Sequence, residues 1–254
     1  MTRVAVTGAT GRMGQEVIAL ARDRDDVELV FAVSRDPEDV AMDVTLEADD
    51  ALPALLEEHQ PDVLVDFTVP ESSVEYVTAC AEAGVAVVVG TTGFSEEQYA
   101  ALETASESVP VLESSNFARG IQALLNVVDE AVAALPDYDI ELVETHHNAK
   151  RDAPSGTANM LLDRIDEQRD LTRVYGREGD APRADDEVGV LVRRAGNIRG
   201  EHEVLLAGND EVVTLTHRAE SRGVFAAGAL DAAVWVAPRD AGWYDFADVI
   251  GDAQ

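Results

Sequence analysis

Residues 3–14 read RVAVTGATGRMG, an apolar run that passes directly into a glycine-rich turn and then into a helical pattern. The run 3–7 predicts a strand and residues 13–22 predict a helix. Glycines between a strand and a helix permit a tight turn and let the backbone approach a pyrophosphate, which the first-turn N–H groups would bind. We therefore expect a dinucleotide here; the alternative is that the glycines only shape a turn. The residues expected to line the cofactor are Gly8, Ala9, Thr10, Gly11, Arg12 and Met13.

The strand–helix alternation continues through the first half of the chain. Predicted strands 27–33, 63–67, 85–89 and 109–112 alternate with predicted helices 52–59, 72–82 and 96–107. The strand segments are short and rich in valine, as is typical of strands buried on both faces. The alternation predicts an α/β fold with a Rossmann-like, doubly wound parallel sheet.

The second half has a different pattern, beginning near Phe117. Helices are predicted at 121–135, 155–167 and 223–236, and strands at 139–145, 188–194, 202–206 and 212–217. These strands alternate apolar and polar residues, which is typical of a sheet with one solvated face. Residues 207–210, Ala-Gly-Asn-Asp, have the composition of a hairpin turn. We expect a second α+β domain with a mixed sheet.

The chain carries 50 acidic and 19 basic residues, a net charge of −31, and the acids are dispersed along the sequence. A nucleic-acid binder needs a basic face, so this composition excludes nucleic acid as a partner. The apolar content of 46% is too high for a disordered chain. Dispersed acidity of this kind is typical of proteins from extreme halophiles, where ~1 M salt shortens the Debye length to roughly 3 Å.

The sequence contains no apolar run long enough for a transmembrane helix, so we expect no membrane partner. The N-terminus turns polar too early for a signal peptide. Cys80 is the only cysteine, which excludes an internal disulfide framework. We expect a soluble protein of the cytoplasm.

The end of the second predicted strand, Ser34-Arg35-Asp36, bears on the choice of cofactor. A carboxylate here would bind the ribose of NAD, whereas an arginine would accommodate the 2′-phosphate of NADP. Ser34 and Arg35 favour NADPH, and Asp36 keeps NADH as the alternative. Further expected cofactor contacts, at the carboxyl ends of other strands, are Gly90, Thr91, Thr92, Ser114, Ser115, Asn116 and Phe117; the alternative for these is ordinary loop chemistry.

Residues 144–157 read ETHHNAKRDAPSGT, and Lys150 is the only lysine in the protein. Adjacent histidines on a strand point in opposite directions and no Cys or Asp completes a ligand set, so we expect no metal. Histidine exchanges a proton near neutral pH, and lysine supplies a compact positive charge. After Pro154 a helix opens, whose N–H groups and hydroxyls can bind a carboxylate. The expected substrate is a small dicarboxylate, with His147, Ser155, Gly156 and Thr157 as candidate contacts and His146 and Lys150 as candidate catalytic groups.

These motifs resemble, in the same order, those of the dihydrodipicolinate reductase family. The resemblance rests on residues 8–14, 66–68, 90–94, 116–117, 144–158, 196–202, 216–222 and 225–229, and it spans nearly the whole chain. It implies reduction of 4-hydroxy-tetrahydrodipicolinate on the diaminopimelate route to lysine, by hydride transfer and protonation. It also implies a homotetramer.

The resemblance assigns roles to the residues. His146 is implied as proton donor and acceptor, with Lys150 as a second candidate donor, and Gly156 and Thr157 as ligands of a substrate carboxylate. It implies a dinucleotide-binding domain of residues 1–117 and 227–254, and a domain of residues 118–226 for substrate binding and oligomerisation. Ser34 departs from the acid that the family often has there, which favours NADPH. Alternative functions are a nicotinamide dehydrogenase acting on an amino acid and a non-enzymatic dinucleotide sensor; the His-His-x-x-Lys cluster argues against both.

Overall fold

The computed structural model describes residues 1–37 and 46–252. The chain divides into two compact units: unit 1 comprises Met1–Ala118 and Arg222–Gln254, and unit 2 comprises Arg119–Ser221. The second crossing point lies before the last long helix, whereas the sequence placed it at 226/227, inside that helix. The helix packs along its length on the strands of unit 1, which explains why the division falls before it.

Within the described part of unit 1, seven strands form one sheet in the order β12-β6-β5-β4-β1-β2-β3, and the pairings between them are parallel. The strands are β1 (Thr2–Thr7), β2 (Val27–Ser34), β3 (Leu46–Ala48), β4 (Val63–Asp66), β5 (Ala86–Val89), β6 (Pro110–Glu113) and β12 (Gly242–Tyr244). The helices are α1 (Arg12–Arg22), α2 (Leu52–His59), α3 (Pro70–Ala83), α4 (Glu96–Ser106), α7 (Gly223–Val236) and α8 (Phe246–Gly251).

The central strands of unit 1 are buried on both faces because helices cover each side. Val4 and Val6 of β1 pack in one cluster with residues of α1 and α7, while Ala5, which points the other way, packs in a second cluster with residues of α2, α3 and α4. Successive side chains of a strand alternate between faces, so an uninterrupted apolar run is needed. This is why the valine-rich pattern predicted a doubly wound sheet correctly.

In unit 2, all of whose residues are described, five strands form a mixed sheet in the order β11-β10-β7-β9-β8. The strands are β7 (Asp139–His146), β8 (Thr172–Tyr175), β9 (Glu187–Arg194), β10 (Glu201–Gly208) and β11 (Glu211–Arg218), and the helices are α5 (Arg119–Ala134) and α6 (Gly156–Gln168). β10 runs antiparallel to β7 and β11, whereas β9 runs parallel to β7 and β8. Ile140, Leu142, Val204 and Leu206 are fully buried on the helix-covered face.

The predicted fold class is confirmed, and most predicted elements lie within two residues of the observed ones. The hairpin at 207–210 is also confirmed: Asn209 and Asp210 have positive φ angles of 50° and 60°, as a two-residue turn between twisted strands requires. The sequence missed the short elements β3, β8, β12 and α8. Among the described residues, no helix combines the length and the apolar character needed to cross a bilayer.

Candidate active site

The glycine-rich turn of unit 1 lies between β1 and α1, as predicted. Gly8 has a φ of +64° and Gly11 N donates to its carbonyl at 2.9 Å. A Cβ at Gly14 would overlap that same carbonyl, so the helix can only approach the turn this closely with glycine there. No side chain caps α1 at Gly11 and no acid lies in its first turn. The first-turn N–H groups, which lack helical acceptors, therefore suit an anion such as a pyrophosphate.

The end of β2 is tied to this turn by a hydrogen bond of 2.7 Å between the hydroxyls of Thr10 and Ser34. Ser34 is buried, whereas Arg35 is exposed. The Arg35 guanidinium donates to the Ser72 hydroxyl at 3.2 Å. An exposed guanidinium beside a hydroxyl is chemically suited to a phosphate group.

A buried carboxylate, Asp66, organises the carboxyl ends of three neighbouring strands. It accepts hydrogen bonds from Thr7 at 2.6 Å, from Thr68 at 2.7 Å and from Thr91 at 2.7 Å. The Thr91 hydroxyl, a predicted cofactor contact, is therefore engaged in holding strand ends together. Gly90 lies against the ring of Phe67, with no room for a Cβ, and the predicted contact Thr92 is exposed.

The segment after β6 is a tight turn built from its own side chains. Asn116 N donates to the Ser114 hydroxyl at 3.3 Å, and Asn116 Oδ1 accepts from Ala118 N at 2.8 Å. Phe117 is buried, with its ring 5.8 Å from Phe67 and 5.2 Å from Phe246 between centroids. Ser115 is exposed. Phe117 thus anchors the segment in the core.

In unit 2, the buried carboxylate of Glu144 is the centre of a hydrogen-bond network. Arg194 donates to both of its oxygens at 2.8 Å, Ser155 N donates at 3.0 Å, and His146 Nδ1 lies 2.5 Å from Oε2. Burial alone would raise the pKa of Glu144, but the hydrogen bonds from His146 and Arg194 outweigh it and lower the pKa to about 2. Glu144 is therefore an anion that only accepts hydrogen bonds.

This carboxylate determines which nitrogen of His146 can exchange a proton. Because Nδ1 faces an acceptor-only group, Nδ1 carries a hydrogen and Nε2 is the exchangeable position. The backbone of Gly200 approaches Nε2 so closely that a Cβ there would lie 3.1 Å from it. The His146 and His202 rings are 5.2 Å apart in an edge-to-face arrangement. His146 is therefore held on several sides, and Nε2 is the ring nitrogen that does not face Glu144.

Lys150 lies on the turn that follows β7. Its Nζ forms an ion pair of 2.8 Å with Asp152, and its backbone N donates to the carbonyl of His147 at 3.1 Å. The Lys150 side chain is 22% exposed and the Asp152 side chain 55%. The acid of this pair is exposed and the ammonium partly exposed, so the pair gains little energy in water and an anionic ligand can compete with Asp152 for the ammonium group.

The predicted carboxylate-binding segment opens α6. Ser155 is its N-cap, with the hydroxyl accepting from Ala158 N at 3.2 Å and lying 3.0 Å from His202 Nε2. Burial, followed by the nearby charge of His146, lowers the pKa of His202 to about 3, so His202 is neutral. The Ser155 hydroxyl has one donor and two acceptor positions, and these two contacts use two of the three. Gly156, by contrast, is exposed at the start of the helix.

The structure thus brings His146 and the start of α6 together through Glu144. It adds Arg194 and His202, which the sequence analysis did not single out as site residues. Strand pairing brings Arg194 and His202 to the site, because Arg194 lies opposite His146 and His202 lies opposite Glu144. Within residues 1–37 and 46–252, no cluster of acidic, His or Cys side chains is arranged to hold a metal. All cofactor candidates lie in unit 1 and all substrate and catalytic candidates in unit 2.

Two family matches together cover both units of the chain. Residues 2–117 match the family described as "Dihydrodipicolinate reductase, N-terminus", and residues 120–250 match "Dihydrodipicolinate reductase, C-terminus". A 4-hydroxy-tetrahydrodipicolinate reductase of the halophile Natronomonas pharaonis is 61% identical over 97% of this chain and 99% of its own length. One from the halophile Haloarcula marismortui is 56% identical over 98% of this chain and 99% of its own length.

Solved structures agree with these matches. A dipicolinate-bound dihydrodipicolinate reductase from Paenisporosarcina sp. TG-14 superposes with a TM-score of 0.79 and 27% identity, over 96% of this chain and 97% of that chain. An amine dehydrogenase from Mycobacterium smegmatis gives a TM-score of 0.60 at 16% identity, over 95% and 94%, and shares the fold alone. The chain belongs to the dihydrodipicolinate reductase family.

Proposed function

We propose that the protein reduces 4-hydroxy-tetrahydrodipicolinate to tetrahydrodipicolinate, with NADPH as the preferred hydride donor and NADH as the alternative. The observation that carries this proposal is the Glu144-anchored His146, followed along the chain by the Lys150 ammonium and the opening of α6. A proton-exchanging group with a cation and a helix N-terminus is the set of groups needed to hold and protonate a dicarboxylate. The identity of the substrate is inferred from the family to which the chain belongs.

The substrate is a dianion, and two kinds of group in unit 2 would hold its carboxylates. Lys150 would exchange Asp152 for one carboxylate, with His147 beside it on the same turn. The first-turn N–H groups at Gly156 and Thr157 would hold the other, because helix N-termini attract anions. Two carboxylates fixed at defined points would orient the ring and leave one face for reduction.

The proton balance of the reaction involves His146 and Lys150. The 4-hydroxy substrate loses water, gains a hydride at ring C4 and gains a proton at ring C3. When bound, the nicotinamide cofactor supplies the hydride. His146 would deliver or accept a proton at Nε2, since its Nδ1 faces Glu144, and Lys150 Nζ is the alternative donor. Both groups would also stabilise negative charge that develops on the ring.

The preference for NADPH is proposed from the residues at the end of β2. The glycine-rich turn and the uncapped start of α1 fit a pyrophosphate. A side chain at Gly8 or Gly14 would clash with neighbouring atoms, so only glycine allows the turn to pack this closely. In the part of the chain that the structure describes, Arg35 is exposed and donates to the neutral hydroxyl of Ser72. A guanidinium in that state would bind the 2′-phosphate of NADPH, which NADH lacks.

We also propose that the protein is a cytoplasmic homotetramer assembled through unit 2. On the sheet face opposite α5 and α6, large apolar side chains are unusually exposed: Leu191 by 45% and Val212 by 61%. Such residues on one face of a sheet suit burial against another copy. Cys80, the only cysteine, is buried and free of any disulfide, which suits a reducing compartment.

The test is cofactor consumption in molar salt, with substrate made freshly by the preceding synthase. The proposal predicts substrate-dependent oxidation of NADPH, faster than that of NADH. His146→Gln should lower kcat by about 10² or more and leave the Kd for NADPH unchanged, because general acid–base groups contribute on that order. His59→Gln, the same change on α2, is the control. Consumption no faster than without substrate would refute the proposal.

A further inference from the structure

Arg194 is the last residue of β9 and lies directly opposite His146 in the strand register. Its guanidinium donates through Nη1 and Nη2 to the two oxygens of Glu144, each at 2.8 Å. Nη2 also donates to the carbonyl of Asp152 at 2.5 Å. Arg194 therefore joins the end of β7 to the turn that carries Lys150.

The contact between Arg194 and Glu144 does more than neutralise the charge of the carboxylate. A planar guanidinium that bonds both oxygens fixes the plane of the carboxylate, which a single ammonium contact does not. Glu144 has about four acceptor positions, and they are occupied by Arg194 twice, by Ser155 N and by His146 Nδ1. Rotation of the carboxylate would break the His146 contact together with the others.

The orientation of His146 depends on that carboxylate. The hydrogen on Nδ1 is held by Glu144 Oε2, which leaves Nε2 as the lone-pair position of the neutral ring. If Glu144 rotated or moved, the imidazole would be free to turn or to adopt the other tautomer. Proton exchange would then occur at the wrong atom or at the wrong place.

We propose that Arg194 is a positioning residue for proton transfer, which holds Glu144 in the orientation that presents His146 Nε2 to the substrate. This inference rests on the proposed function, because it assigns His146 the proton-transfer step. Arg194 acts through Glu144 and does not itself contact the reacting atoms. It differs in this from Lys150, whose ammonium is available to the substrate.

The test compares Arg194→Gln and Arg194→Lys with Arg164→Gln, which removes a cation from surface ion pairs on α6. Arg194→Gln should lower kcat by about 10², as misplacement of a catalytic group does, with KM changed by less than about threefold. Arg194→Lys should recover only part of the loss, because lysine cannot form the fork. Arg164→Gln should match the wild type. The Kd for NADPH should be the same in all four proteins.

A second readout does not depend on turnover. ¹⁵N spectra of the histidine side chains, with His146 assigned by its loss in His146→Gln, should show a hydrogen on Nδ1 in the wild type. In Arg194→Gln that signal should split between tautomers or shift to Nε2. An unchanged kcat, or a loss confined to KM, would overturn the positioning role. An inactive wild type would instead refute the proposed function, so the two failures are distinguishable.

Discussion

Glu144→Gln should destabilise the protein in a way that depends on pH. The pKa of Glu144 falls from an ordinary 4.5 to about 2 in the folded protein, so the folded state prefers the ionised form. This preference corresponds to about 3 kcal/mol of stability at neutral pH. Because the folded pKa is the lower one, the contribution is present above pH 4.5 and is lost as the pH falls towards 2. Glutamine resembles the protonated acid and cannot supply it.

The expected difference between wild type and Glu144→Gln is therefore about 3 kcal/mol at pH 7, about 2 kcal/mol at pH 3.5 and about 1 kcal/mol at pH 3. The difference isolates one group, because the other acids titrate in both proteins. Glu144 is fully buried, so molar salt should screen its interactions little. Urea unfolding followed by circular dichroism, in constant salt from pH 7 to pH 3, gives the two curves.

The loss of stability in Glu144→Gln should also appear locally in unit 2, as faster hydrogen exchange of the backbone amides of β7 and β10. Fluorescence is unsuitable because Trp235 and Trp243 both lie in unit 1. Glu130→Gln, at an exposed position of α5, controls for the change in net charge alone. A difference that stays constant with pH, or one no larger than that of Glu130→Gln, would show that Glu144 is not held as a buried anion.

Three substitutions and one change of solvent give further tests. Lys150→Ala should weaken substrate binding and lower kcat, together by about 10² or more in kcat/KM, whereas Arg151→Ala, an exposed neighbour, should have little effect in the same assay. Arg35→Ser should raise the Kd for NADPH by about 10-fold to 100-fold, the usual value of a charged hydrogen bond, and leave that for NADH unchanged in calorimetry. Val212→Glu should lower the mass seen by light scattering below that of a tetramer, and Val127→Glu, on an exposed face of α5, should not. Dilution from ~3 M to ~0.1 M salt should lower the thermal midpoint, because the Debye length grows to about 10 Å and the charge of −31 repels itself; an unchanged midpoint would contradict the halophilic interpretation.

Most of the fold could be predicted because apolar residues recur with a clear period along the longer helices and strands. Helices α2 and α7 were predicted with the observed ends, Leu52–His59 and Gly223–Val236. The missed strands β3 and β12 have three residues each and lie at the two edges of the sheet of unit 1. Three residues show no alternation, so only pairing with a neighbouring strand defines them.

The same distinction applies to the candidate site. His146 and Lys150 could be found from the sequence because they lie four residues apart in one motif. The bonds of Arg194 to Glu144 span 50 residues, and that of His202 to Ser155 spans 47. Such contacts follow from strand order and register in a mixed sheet, which local patterns do not determine. The sequence therefore identified the candidate reacting groups, and the structure was needed to identify the groups proposed to orient them.

We infer that this chain adds a hydride and a proton to the ring of a dicarboxylate. The most direct measurement supplies NADPH carrying deuterium at both C4 positions, together with freshly made 4-hydroxy-tetrahydrodipicolinate, and follows the product by mass spectrometry. We expect one deuterium per product molecule at ring C4, in step with cofactor oxidation, and about a hundredth as much labelled product or less from the His146→Gln protein over the same time. Oxidation of the cofactor without label in the product, or a product identical to the no-enzyme control, would contradict the claim.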